Sequence, residues 1–250
     1  MRGSAGAPGE IRKALFSPSS NLWTETGLDL GDPSVITDLG DMVFSEKNAF
    51  FQAISDHIGG ILERNMIPLS LGGDHSITFP IVAALSRFYP DLEILHLDAH
   101  PDLYRTFDNN PYSHASPMVR ILENKMAVRL VQVGIRTMNA PQQREAAEYN
   151  TEIIPPDKVA GSLPLRFSGP LYLSVDLDVL DPAFAPGVSH WEPGGLTTRE
   201  AIDLIHRIEA PHLVGADLVE MNPERDPTGR TAMTAAKLVK ELAGALAARP

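Results

Sequence analysis

From one end of the chain to the other, short runs rich in Val, Ile and Leu alternate with longer segments whose apolar residues recur at helical spacing. Few folds accommodate that alternation other than a parallel sheet with helical crossovers. The runs predict strands at Val35–Asp38, Ile67–Leu71, Glu93–Asp98, Arg129–Ile135, Glu152–Ile154, Leu171–Asp178 and His212–Val219. Helices are expected between them at Ser45–Asn65, Ser76–Tyr89, Ala115–Met126, Ala140–Glu148, Thr198–Ile208 and Thr231–Ala247. Thr197 and Glu200 have the spacing of a capping box and mark one helix start. No internal repeat or long linker divides the 250 residues, so one α/β domain over residues 1–250 is expected.

Two irregular stretches, 101–116 and 181–196, are rich in Pro, Gly, Asn and Ser, and each follows a predicted strand. Ligands of open parallel sheets bind beyond the carboxyl ends of the strands, so these loops should frame a site.

The same strand ends carry the chemistry. Asp98, His100 and Asp102 are spaced two apart, which in an extended chain puts all three on one face. Asp176 and Asp178 repeat the spacing, and Gly72-Gly73 permits a turn that delivers His75 at a third strand end. Carboxylates crowded into a cleft repel one another and lose solvation, so they must take up protons or cations. With no cysteine in the chain, any metal is held by nitrogen and oxygen, a ligand set that suits manganese, cobalt or nickel. Two such ions about 3.5–4 Å apart can share one water and lower its pKa.

A net charge of −11 argues against a nucleic-acid partner and is compatible with metals or basic metabolites. No apolar stretch is long enough to span a bilayer and the first residues lack a secretory signal, so a soluble, intracellular, cytoplasmic protein is expected. Neither nucleotide-binding glycine motif appears, nor a Gly-x-Ser-x-Gly nucleophile elbow.

Gly72-Gly73-Asp74-His75-Ser76, Asp98-Ala99-His100-Pro101-Asp102 and the segment from Ser174 through Asp176, Asp178 and Asp181 to Pro182 resemble, in order, the signature motifs of the ureohydrolases, the arginase and agmatinase family. The wording is most similar to plant-type arginases, as in Tyr112-Ser113-His114-Ala115-Ser116, Gly187-Val188-Ser189-His190 and Glu192-Pro193-Gly194-Gly195. The resemblance implies a three-layer αβα fold of the arginase/deacetylase kind, two Mn²⁺ per chain and a homo-oligomer, a trimer or hexamer. It implies hydrolysis of a small cationic guanidino substrate to urea and an amine: L-arginine to L-ornithine, with agmatine or another guanidino compound as the alternative. One ion would be held by His75, Asp98, Asp102 and Asp176, the other by His100, Asp98, Asp176 and Asp178. His114 matches the family's proton shuttle and Glu220 its guanidinium-binding carboxylate. Asp74 and Asp217 read as residues that orient His75 and the far end of the substrate, and His190 as a further residue near it. His96, one step out of phase with the metal face, reads as a packed histidine.

Two features depart from the family pattern. An apolar strand expected before Ile11 is missing, and Leu103–Asp108 lacks the asparagine and serine that read the amino-acid end of arginine in animal arginases. A one-metal deacetylase and a metal-binding relative without turnover are the competing readings.

Overall fold

The central runs of the chain are predominantly apolar, as expected of strands buried on both faces. In the computed structural model, which describes residues 3–44, 50–159 and 165–248, they form β1 (Leu69–Leu71), β2 (Glu93–Leu97), β3 (Arg129–Val133), β4 (Glu152–Ile154), β5 (Leu165–Arg166), β6 (Pro170–Asp176), β7 (Ile208–Glu209) and β8 (His212–Val219). Six of them make one sheet in the order β1-β8-β6-β2-β3-β4, with every pairing parallel. The short β5 and β7 pair separately.

Alternation along β2 divides the core. Leu95 and Leu97 face a cluster completed by α1 (Ala7–Leu15), α6 (Thr198–His206) and α7 (Arg230–Ala247), through Ile11, Leu204 and Leu238 among others. Ile94 faces the opposite cluster, with α2 (Phe50–Glu63), α3 (Thr78–Leu85), α4 (Pro117–Glu123) and α5 (Ala140–Glu148), through Ile58, Ile81, Met118 and Ala146. Each fully buried Leu or Ile contributes about 1.5–3 kcal/mol, and this double burial holds the three layers together. The capping box at Thr197 and Glu200 is formed, and Asn139 with Gln142 makes a second at the start of α5. No helix among the described residues is long and apolar enough to cross a membrane.

The chain runs outward from β2 to β3 and β4, then returns to β6 and runs the other way to β8. Directions therefore diverge between β2 and β6, and the crevice beyond such neighbouring strand ends is the expected ligand position.

Three expectations are corrected. Val35–Asp38 is not a strand: it forms a turn and an irregular, partly exposed segment whose Asp38 pairs with Arg12. In keeping with the first strand expected to be missing, β1 pairs only with β8, and no described strand lies on its other side or precedes it. An extended segment without a neighbour has no partners for its backbone. The strand drawn through Asp178 stops at Asp176, whose carboxylate accepts from the Asp178 amide at 2.8 Å and turns Leu177–Val179 into a 3₁₀ turn. β2 likewise ends at Leu97, and Asp102 is left-handed (φ 51°). Asp98, His100 and Asp102 thus gather through a folded loop and not by strand alternation. The helix expected from Ser45 is described from Phe50; residues 45–49 lie outside the described residues.

Candidate metal centre and cleft

Four adjacent strands deliver the site. At the end of β1 the chain squeezes between β8 and the next helix: a Cβ on Gly72 would stand 2.6 Å from Val219 and 2.7 Å from Ile77, so only glycine fits. Asp74 then accepts from the Ser76 amide at 3.0 Å and starts the turn that carries His75. β2 and β6 supply Asp98 and Asp176 side by side. Just past β8, Glu220 adopts a left-handed backbone (φ 65°), uncommon for a residue other than glycine, with its amide on Gly73 O at 2.9 Å.

All six expected ligands converge. His75 Nδ1 lies 3.1 Å from Asp102 Oδ2, 3.2 Å from Asp98 Oδ2 and 3.4 Å from Asp176 Oδ2. His100 Nδ1 lies 3.0 Å from Asp178 Oδ2 and 3.5 Å from Asp98 Oδ1. The oxygens of Asp98 are thus shared between two imidazoles. Backbone amides hold the other oxygens: Ala99 N donates to Asp178 Oδ1 at 3.0 Å and Asp178 N to Asp176 Oδ1. Asp98, His100 and Asp178 form one group able to hold an ion; His75 and Asp98 belong to another.

This donor set fits divalent cations. His75 Nδ1 is buried with no hydrogen-bond partner although three carboxylates surround it. A lone pair aimed among carboxylate oxygens is what a shared cation satisfies. Burial, then the charges of Asp178 and Asp98, raises the Asp176 carboxyl well above its usual range. Burial and the charge of Asp98 push Asp178 up to about 6. Burial alone would lower His100, but Asp178 and Asp98 outweigh it and take it to about 12. Without cations, protons must relieve this crowding; with them, every carboxylate can be ionised.

Glu220 sits beside this cluster. Its Oε1 accepts from the His75 amide at 2.9 Å, and burial together with the charge of Asp74 pushes it up to about 8. A cleft of about 610 Å³ is lined by Phe51, Asp74, Phe107, Asp108, Tyr112 and His114 among others, Asp74 and Ser76 flanking His75 in the chain. The His114 ring stacks on His190 at 5.4 Å and 11°, with Phe107 edge-on at 5.5 Å. Asp217 has no exposed surface; Thr78, Tyr172 and Ser174 hydroxyls donate to it at 2.6, 2.6 and 2.7 Å. Ser174 Oγ is in turn 2.9 Å from His75 Nε2, so Asp217 lies behind the centre and reaches His75 through Ser174, not facing a substrate.

Two residues escaped the sequence reading. His96 shares the face of Ile94 and Asp98, contrary to the phase assigned to it, and its Nε2 lies 2.8 Å from Asp98 Oδ2. Counting by two from Asp98 would have found it. Arg136 points its guanidinium at the carbonyls of Gly134, Asp178, Val179, Leu180 and Glu192, clasping the loop that bears Asp178 to the second framing loop. No local signal announces that contact.

The family described as the arginase family matches residues 1–244. A protein named arginase 1, mitochondrial, of Arabidopsis thaliana is 44% identical, the match covering 97% of this chain and 76% of that one. A Bacillus cereus agmatinase is 35% identical over 82% of this chain and 73% of its own. The solved arginase from Medicago truncatula superposes with a TM-score of 0.92 at 42% identity, covering 97% of this chain and 81% of that one. The mitochondrial name of the Arabidopsis protein lends no support to the expectation of a cytoplasmic protein.

Proposed function

The chain belongs to the arginase family, hydrolases of the C–N bonds of linear amidines, and on that premise we propose that it converts L-arginine to L-ornithine and urea with two Mn²⁺ ions. His75, Asp98, Asp102 and Asp176 would hold one ion, and His100, Asp98, Asp176 and Asp178 the other. The observation that carries this reading is the orphaned His75 Nδ1 among three carboxylates.

When bound, the ions supply a water acidified to a nucleophile near neutral pH and positive charge for the oxygen that develops on the attacked carbon. The chain's own residues do the rest. Glu220 is the acceptor for the guanidinium, a planar, permanently cationic fork of donors that a carboxylate grips through charge-assisted hydrogen bonds. Its raised pKa fits that role, because a bound cation returns a buried carboxyl to its ionised form. The His75 amide holds Oε1 in place, so the grip is preorganised. His114, steadied between Phe107 and His190 at the cleft, delivers or relays the proton the departing amine requires. Asp217 fixes the orientation of His75 through Ser174. Association into a trimer or hexamer is part of the same proposal, and light scattering in solution checks it.

A second reading draws on the cleft. The residues found lining it include Asp74 and Asp108 but neither Lys nor Arg. That field suits the ammonium of agmatine, whereas the carboxylate of arginine would depend on neutral donors such as Ser76, Asn110 and Tyr112. Urea release by the manganese-reconstituted protein, with arginine, agmatine and 4-guanidinobutyrate compared side by side, tests both readings. No urea from any of them would leave a metal-binding relative without turnover.

A further inference from the structure

β2 and β3 pair in a register that sets His96 opposite Gln132, both without exposed surface. Gln132 Nε2 lies 2.8 Å from His96 Nδ1 and 2.8 Å from the carbonyl of Pro101. The orientation of the amide follows from the carbonyl, since an amide oxygen in that position would set two acceptors against each other. Gln132 therefore donates one hydrogen to Pro101 O and the other to His96 Nδ1. An imidazole that accepts at Nδ1 carries its proton on Nε2, and Nε2 faces Asp98 Oδ2 at 2.8 Å. This chain of donors leaves Gln132 Oε1 buried without a partner, which apolar packing of β2 against β3 would have avoided.

The consequence falls on Asp98. Its Oδ1 accepts from the His100 amide and its Oδ2 from His96, so each oxygen has one lone pair left. Oδ2 faces His75 Nδ1 and Oδ1 faces His100 Nδ1. A carboxylate committed this way can give one oxygen to each of two cations but is poorly placed to chelate a single one. Asp176 and Asp178 receive a backbone amide on Oδ1, with Oδ2 directed at His75 and His100 respectively. The nearness of His96 to His75 and Asp98 also suggests a direct ligand, but its Nε2 bears the proton and has no lone pair to offer.

We infer that His96 is a positioning residue of the metal centre: its Nε2–H, set by Gln132, holds Asp98 as a bridge with one oxygen for each ion. The inference rests on the two-ion reading above. It is tested by Mn²⁺ binding, measured as metal per chain against buffered free Mn²⁺, with thermal melting of the metal-free protein as the control for folding. His96→Phe keeps the ring and loses the donor, and is expected to weaken binding of at least one ion by about 10–100-fold with melting little changed. His96→Gln returns an N–H near the position of Nε2 and is expected to restore most of that affinity, which loss of a direct ligand would not allow. Gln132→Met removes the donor that sets the tautomer and is expected to weaken binding in the same sense, so the test stands should the phenylalanine variant not fold. Two ions bound by His96→Phe as tightly as by the unaltered chain, or a glutamine variant as weak as the phenylalanine one, overturns the role of His96. Fewer than two ions in the unaltered chain removes the two-ion reading itself, and this inference with it.

Discussion

The backbone amide of His75 donates to Glu220 Oε1 across 145 residues of sequence, so a candidate metal ligand and the candidate substrate carboxylate share one hydrogen bond. Glu220→Gln keeps an oxygen for that bond and removes the charge. Fold and Mn²⁺ content should persist while kcat/KM for the guanidino substrate falls at least about 100-fold, on the order of 3 kcal/mol of transition-state stabilisation. Steady-state kinetics beside metal analysis checks this, and retention of full kcat/KM would remove Glu220 from substrate binding.

His114 enters only through a proton, so its replacement should act on turnover. His114→Asn is expected to lower kcat by about 10²–10⁴-fold with Mn²⁺ content unchanged. A change in KM alone would reassign His114 to substrate contact.

Metal-free protein should lose stability as pH rises. Asp178 goes from its ordinary value of 3.8 to about 6, Glu220 from 4.5 to about 8 and His100 from 6.5 to about 12 on folding. In each case the folded chain binds the proton more tightly, so stability is fullest below the unfolded value and drains away as pH climbs through the folded one. Asp176 and His75, both raised, act in the same direction; Asp98, held low by its neighbouring histidines against burial, and Glu25, held low by Arg199 and Lys237, act in the opposite one only in acid, and His190, lowered to about 4 by burial, offsets part of the fall between its two values. Melting temperatures of chelator-treated protein should fall from about pH 4 upward, and Mn²⁺ should reverse the fall at pH 8. A flat profile would mean the carboxylates are not crowded as described.

Arg136→Met should strip the shared donor from the carbonyls of Asp178, Val179, Leu180 and Glu192. Several acceptors would have to find water in a half-buried place, with a cost of about 2–4 kcal/mol in unfolding free energy. Chemical denaturation measures it, and a loss below about 0.5 kcal/mol, the range of an ordinary surface change, would show the clasp to be incidental.

Much of this arrangement is legible in the sequence because it is local. β-rich runs mark the strands of the sheet, and the pairs two apart in 98–102 and 176–178 name the converging carboxylates. What escaped is set by distant partners or by side chains that turn their own backbone. Val35–Asp38 has the composition of a strand but pairs with no strand among the described residues, and Asp176 bends its own chain by capturing the Asp178 amide. Asp217 looks from its motif like a residue facing substrate, yet three hydroxyls from other elements enclose it. His96 was within reach of period-two counting; Gln132 and Arg136 were not, because register and loop contacts exist only once the sheet has closed.

The placement of β1 beside β8, at the far end of the sheet from β3 and β4, bears on how the protein matures. His75 and Glu220 meet only when β1 and β8 have paired across 145 residues of sequence, and pairings between such remote segments form slowly. Catalytic competence should therefore be among the last properties to return on refolding, trailing helix content, and recovery of urea release would report complete assembly where circular dichroism already reads as native.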